Sequence, residues 1–185
     1  MAIEIFLITD PDVETDRTAA LLEATLERVG ASVLLVAAGE ADDYAYVERL
    51  KALVPIAQAH DCAVLVDGRP SLVTSTRADG VHMSGGIKAL REAITELKPR
   101  FIVGTGDIGS RHEAMLRGEL DIDYLMFGDR DEPEGDGAEM AQWWVETFEV
   151  PSVYVWGGEK REALPPTEFL AVPQADWAEI PGEAP

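Results

Sequence analysis

The stretch Ile3-Glu4-Ile5-Phe6-Leu7-Ile8-Thr9-Asp10-Pro11-Asp12 decides the fold. Residues 3–8 form an apolar run of strand length, and an almost continuous apolar run suits a strand covered on both faces of a parallel sheet. The turn that follows, Thr9-Asp10-Pro11-Asp12, contains no glycine. A doubly wound dinucleotide-binding sheet needs Gly-rich backbone there, so that a phosphate can approach the chain closely. The first strand therefore belongs to another kind of parallel sheet. Thr9 and Asp10 suit capping of the next helical turn better than chemistry.

Working outward, the same short apolar runs recur at residues 32–37, 62–66, 80–83, 101–103, 124–127, 152–156 and 169–172. Between them apolar residues repeat with helical spacing: Leu22, Leu26 and Val29, then Val47, Leu50, Val54 and Ala57, then Ile87, Leu90, Ile94 and Leu97. Ser110-Arg111-His112-Glu113 has the form of a capping box opening the next helix. Met140, Trp143, Trp144 and Phe148 give the helix before Val150 an apolar side that suits core packing. Two places break the rhythm. Residues 69–79 leave room for only a short helix, and the Pro-rich residues 173–185 are too few for a full closing helix and are expected to be irregular. Eight strands joined in this way fit a (βα)8 TIM barrel or a doubly wound sheet, and the glycine-free first turn selects the barrel. The expected architecture is a shortened barrel forming one domain over residues 1–185, with a reduced helix between strands 3 and 4 and a truncated C-terminal helix.

Composition narrows the function. The chain has 185 residues, 46% of them apolar and 27% charged, which is normal for a folded domain. Its 35 acidic residues against 15 basic ones give a net charge of −20, which repels nucleic acid and anionic lipid. No apolar run approaches the ~20 residues needed to span a bilayer, and the first ten residues lack the basic segment of a secretory signal. The lone Cys62 forms no internal disulfide and fits a reducing cytoplasm. No Cys/His cluster, P-loop or nucleophile elbow is visible.

Four segments carry a family resemblance. FLITD (residues 6–10), ADGVHM (78–83), DYLMFGD (123–129) and VPSVYVWGG (150–158) occur in order and at barrel spacing. Together they resemble the thiamine phosphate synthase and thiazole tautomerase family. The resemblance implies a (βα)8 barrel with its site above the carboxyl ends of the strands. It also implies joining of a hydroxymethylpyrimidine diphosphate to a thiazole phosphate with loss of pyrophosphate, assisted by Mg²⁺. Such chemistry must hold a departing diphosphate with cations and metal.

Much of the machinery implied by the resemblance is replaced. The family's basic cluster after strand 2 becomes VLLVAAGEADD, without a basic residue. Its Asn-Asp-Arg after strand 3 becomes Asp67-Gly68-Arg69, which puts Gly68 at a Mg²⁺-ligand position, and Ser84-Gly85-Gly86-Ile87 supplies no second carboxylate. The loop after strand 6 carries Asp129, Asp131, Glu132, Glu134 and Asp136 beside Arg130. Thr105-Gly106-Asp107 stand where tautomerases have a histidine. No metal or other cofactor is therefore expected.

The candidate catalytic groups are Asp67 and Arg69; the alternative for them is a mutual ion pair at the rim. The candidate ligand-binding set is Arg69, His82, Ser84, Thr105, Gly157 and Gly158. Backbone donors at Gly157 and Gly158 suit a monophosphate, with a tight turn as the alternative. His82 is a ligand group or a core histidine. The functions weighed are a divergent synthase, a small-molecule-binding barrel that has lost diphosphate chemistry, and an acidic partner for a basic protein. The expected partners are a small molecule, phosphorylated in one version, and a second copy of the chain. Neither nucleic acid nor membrane is expected.

Overall fold

The computed structural model describes residues 3–129 and 135–180. Eight strands appear where the apolar runs place them: β1 (Glu4–Ile8), β2 (Val33–Val36), β3 (Ala63–Asp67), β4 (Gly80–Met83), β5 (Ile102–Thr105), β6 (Tyr124–Phe127), β7 (Ser152–Val155) and β8 (Phe169–Pro173). Every neighbouring pair is parallel. Phe6 of β1 lies opposite Val33 of β2 on one side and Ala171 of β8 on the other, so the sheet closes into a barrel.

Among the described residues six α-helices cover it: α1 (Thr15–Arg28), α2 (Asp43–Gln58), α3 (Leu72–Thr76), α4 (Ile87–Leu97), α5 (Arg111–Gly118) and α6 (Gly137–Thr147). The connection between β3 and β4 is the short helix expected, α3. Ser110 caps α5 by accepting from the Glu113 N–H, while the Glu113 carboxylate accepts from Gly109, one residue earlier than a standard capping box. No helix among the described residues is long and apolar enough to cross a membrane.

The wall thins after β7. Only a 3₁₀ turn, Arg161–Ala163, connects β7 to β8. The stretch expected to be irregular, residues 173–185, begins instead as a 3₁₀ helix over Gln174–Glu179, and residues 181–185 lie outside the described residues. The reason is tertiary: Trp177 is fully buried, and its indole N–H donates to the Val172 carbonyl at 3.0 Å. From α1, the Arg28 guanidinium donates to the carbonyls of Trp177 and Ile180. A large apolar side chain with a satisfied N–H and two tied carbonyls hold six residues that have weak helical pattern of their own.

Side chains alternate along each strand between two apolar bodies. Leu7, Leu34, Val64 and Val81 face the helices, and Phe6, Ile8, Leu35, Leu65, Tyr124, Met126, Val153 and Val155 fill the barrel. The Tyr124 ring needs the space left by Gly104: a Cβ there would stand 2.0 Å from the ring. Trp144 is completely buried and stacks on Phe148 at 4.1 Å, so the aromatic side of α6 is core packing, as its spacing suggests.

At the amino ends of the strands, acidic residues act as staples. Asp79, just before β4, accepts from the Val64 N–H of β3 at 2.7 Å. Asp123, before β6, accepts from the Val103 N–H of β5 at 2.7 Å and pairs with Lys98. Glu168, before β8, accepts from the Ser152 N–H of β7 at 2.8 Å. The pairs β3–β4, β5–β6 and β7–β8 are thus each tied by a carboxylate of the next strand's lead-in.

Candidate functional site

The carboxyl ends of the strands form the barrel mouth, where loops carry side chains that the packed wall does not need. The β1–α1 loop is held from below. Buried Arg49 of α2 donates to the carbonyls of Asp10 and Val13 at 2.7 Å each, and Gln174 accepts from the Asp10 N–H at 2.8 Å. Burial lowers the pKa of that guanidinium, against the opposing pull of Asp10. Sequence patterning gave no sign of this brace, because its parts lie far apart in the chain.

Asp67 ends β3 at the rim. Its backbone N–H donates to the Tyr46 hydroxyl, which in turn donates to the Val36 carbonyl, and its carboxylate accepts from the Ala38 N–H at 3.0 Å. Arg69 turns the other way. Its guanidinium donates to the Ala41 carbonyl at 2.7 Å, approaches the Asp43 carboxylate at 3.3 Å and lies 4.8 Å over the Tyr46 ring. The basic residue that the family pattern retains thereby turns toward the start of α2, with Nη1 making no hydrogen bond among the described residues.

His82 lies within the barrel, 1% exposed, with Nδ1 2.7 Å from the Tyr124 hydroxyl and the two rings stacked at 5.8 Å. On its far side a Cβ on Gly106 would come within 3.0 Å of Cε1 and Nε2. Tyr124 is the functional-site neighbour that sequence reasoning missed. The available signal was a tyrosine at an inward position of YLMF, beside the small Gly104 of β5.

Ser84 follows β4 and leads into Gly85-Gly86. Its hydroxyl is buried without a hydrogen-bond partner among the described residues. A buried polar atom left unpaired costs roughly 1–3 kcal/mol, so this orphan at the mouth is a group still to be satisfied.

Thr105 sits elsewhere. It is fully buried on the outer side of β5, donating to the Met83 carbonyl at 2.7 Å and accepting from Arg117 at 2.6 Å. Arg117 also bonds Glu113, whose carboxyl is held below the usual carboxylate range chiefly by that bond. The network anchors α5 to the wall and leaves the hydroxyl engaged.

Gly157 and Gly158 form the turn after β7, Gly158 with φ of +92°. The Gly157 N–H is already met: it donates to the Glu159 carboxylate at 2.9 Å. The other oxygen of that carboxylate accepts from the Tyr154 hydroxyl at 2.6 Å, and the Trp156 indole N–H donates to the Glu159 carbonyl at 2.9 Å. Burial first, then this carboxylate, push the Tyr154 phenol above its ordinary pKa. An anion of the chain's own thus sits on a donor expected for phosphate. The charged loop after β6 begins with exposed Asp129; Arg130, Asp131, Glu132 and Glu134 lie outside the described residues.

Mg²⁺ needs hard oxygen ligands, usually one or two carboxylates completed by phosphate and water. The positions that the family resemblance assigns to it hold Gly68 and Ser84-Gly85-Gly86. Among the described residues no group of three or more His, Cys, Asp or Glu side chains is placed to hold a metal. The donor set described at the mouth does not fit the ion.

The family model for thiamine monophosphate synthase matches residues 5–167. The chain belongs to the thiamine monophosphate synthase family. It is 32% identical to a thiamine-phosphate synthase of Rhodospirillum centenum over 97% of this chain and 92% of that protein. A thiamine-phosphate synthase of Hyphomonas neptunium is 29% identical over 97% and 88% of the two chains. Among solved structures, a thiamine phosphate pyrophosphorylase from Pyrococcus furiosus superposes with a TM-score of 0.75, covering 95% of this chain and 87% of that one. At 23% identity that likeness speaks for the fold, a closed eight-stranded parallel barrel.

Proposed function

We propose that this member of the thiamine monophosphate synthase family serves thiamine metabolism as a small-molecule-binding barrel that has lost Mg²⁺-dependent diphosphate chemistry. The observation that carries this reading is the orientation of Arg69. A departing diphosphate needs cations aimed at it, and the arginine left at the family position turns toward Ala41, Asp43 and Tyr46, with Nη1 near Asp43 but without a hydrogen bond among the described residues. The replaced Mg²⁺ positions and the acidic residues Asp67 and Asp129 at the mouth act in the same direction.

The remaining groups suit recognition. The unpartnered Ser84 hydroxyl offers a donor and an acceptor, and the His82–Tyr124 pair offers a polar floor beneath the mouth. A phosphate at Gly157-Gly158 would first have to displace the Glu159 carboxylate. A second version, a working synthase that uses an altered site, is favoured by the 32% identity to the Rhodospirillum centenum protein over nearly the whole chain.

Titration calorimetry separates the two. Pyrophosphate should give no binding heat with or without Mg²⁺, and Arg69→Ala should change nothing. Mg²⁺-dependent pyrophosphate binding that weakens in Arg69→Ala would establish the synthase version.

A further inference from the structure

The thin wall after β7 has a consequence on the outside of the barrel. Between β7 and β8 stands only a three-residue 3₁₀ turn, and after β8 only a short 3₁₀ helix. The outer face of β8 and the start of β1 therefore lack the helix that covers other strands. A groove of about 480 Å³ occupies that place. Its floor is apolar, with Leu170 and Val172 of β8, Ile3 and Ile5, and the buried Trp156 at its upper end. It runs from the turn after β7 to the loops at the amino ends of β2 and β3, where Gly30, Ser32 and Asp61 line it.

Acidic groups outnumber basic ones around it: Arg28 bonds the Ile180 carbonyl at one edge, and His60 lines the groove beside Asp61. Glu4, Asp61 and Glu159 line the groove, and no Lys or Arg does so among the described residues. Glu159 is pinned by the Gly157 N–H and the Tyr154 hydroxyl, so its charge is fixed in place. Asp61 is exposed, and its carboxylate has no hydrogen-bond or ion-pair partner among the described residues. The chain as a whole carries −20. An apolar concavity of a few hundred Å³ with a few polar groups at its edge has the form of a small-molecule site. An exposed carboxylate with no paired cation, such as Asp61, favours a positively charged guest and repels an anionic one.

We propose that this groove binds a small apolar molecule carrying a single positive charge, at a site separate from the barrel mouth. The apolar body lies along Leu170, Ile3 and Ile5, and the cationic group faces Asp61 and Glu4 at the lower end. This site does not rest on the function proposed for the mouth. A second copy of this chain is a poorer occupant, because two molecules of the same large negative charge repel.

The test compares three probes with one alkyl chain in the full-length protein: n-octylammonium, n-octanol and n-octyl sulfate, each titrated below its micelle concentration. The ammonium should bind about five-fold more tightly than the alcohol, the scale of an exposed charge pair, and the sulfate most weakly. Gly30→Phe fills the groove without strain, since a Cβ at Gly30 meets nothing within 4 Å, and should abolish ammonium binding. Asp61→Asn together with Glu4→Gln should bring the ammonium close to the alcohol and leave alcohol binding unchanged. Sulfate binding as tightly as ammonium, absence of binding by all three probes, or ammonium affinity unchanged in both the Gly30→Phe and the charge variants would overturn the proposal.

Discussion

At the base of the barrel Asp79, Asp123 and Glu168 each accept a backbone N–H from the adjacent strand, whereas at the mouth the Ser84 hydroxyl has no partner among the described residues and Glu159 occupies the Gly157 N–H. The base spends its acidic residues on strand-to-strand ties, and their removal should cost stability. The mouth leaves groups open or provisionally engaged, and their removal should cost recognition. The same excess of negative charge therefore serves two ends differently. A barrel can change its chemistry at one end while its fold is held at the other.

The largest effect that would break this contrast lies at Asp123. Asp123→Ala strands the Val103 N–H and the mostly buried Lys98 ammonium, and should lower the unfolding free energy by about 2 kcal/mol. Ser84→Ala, which removes an already unpaired oxygen, should stay within about 0.5 kcal/mol of the parent. Chemical denaturation of both variants measures the difference, and equal losses would erase the distinction between the ends.

Arg69→Ala is a smaller test at the mouth itself. Loss of the Ala41 bond and the Tyr46 contact should cost about 1 kcal/mol. A mutant that is as stable as the parent but binds mouth ligands less well would instead show that Arg69 faces the site.

The smallest effect concerns pH. Arg117 holds the Glu113 carboxyl below its usual value of 4.5, so the pair's contribution is complete above that value and fades as pH falls through the lower folded value. Glu113→Gln should therefore lose roughly 0.5 kcal/mol at pH 7, the scale of a helical ion pair, and the gap to the parent should close in acid. A gap that stays constant down to pH 2 would show that packing, not charge, holds α5 to Thr105.

The barrel was legible because local patterns report it: apolar runs such as IEIFLI and CAVLV mark strands covered on both faces, and TDPD excludes the phosphate-binding glycine turn. The tail was misread because a buried tryptophan and a distant arginine, rather than local spacing, hold Gln174–Glu179. At the site, sequence located Ser84 and His82 at the carboxyl end of β4, where residues of a barrel site belong. It could not tell that His82 would find Tyr124, 42 positions away, or that Arg69 would reach back 28 positions to Ala41. Nor could it tell that Thr105 would point outward, since one residue's shift along a strand reverses the face. Direction at the rim is set by partners from other loops, which periodicity does not encode.

Turnover is the direct test of the proposal that this family member no longer handles a diphosphate. Purified protein is incubated with hydroxymethylpyrimidine diphosphate, thiazole phosphate and Mg²⁺, and both pyrophosphate and thiamine phosphate are measured. Neither product should rise above the protein-free control. Equimolar, Mg²⁺-dependent release of both would contradict it.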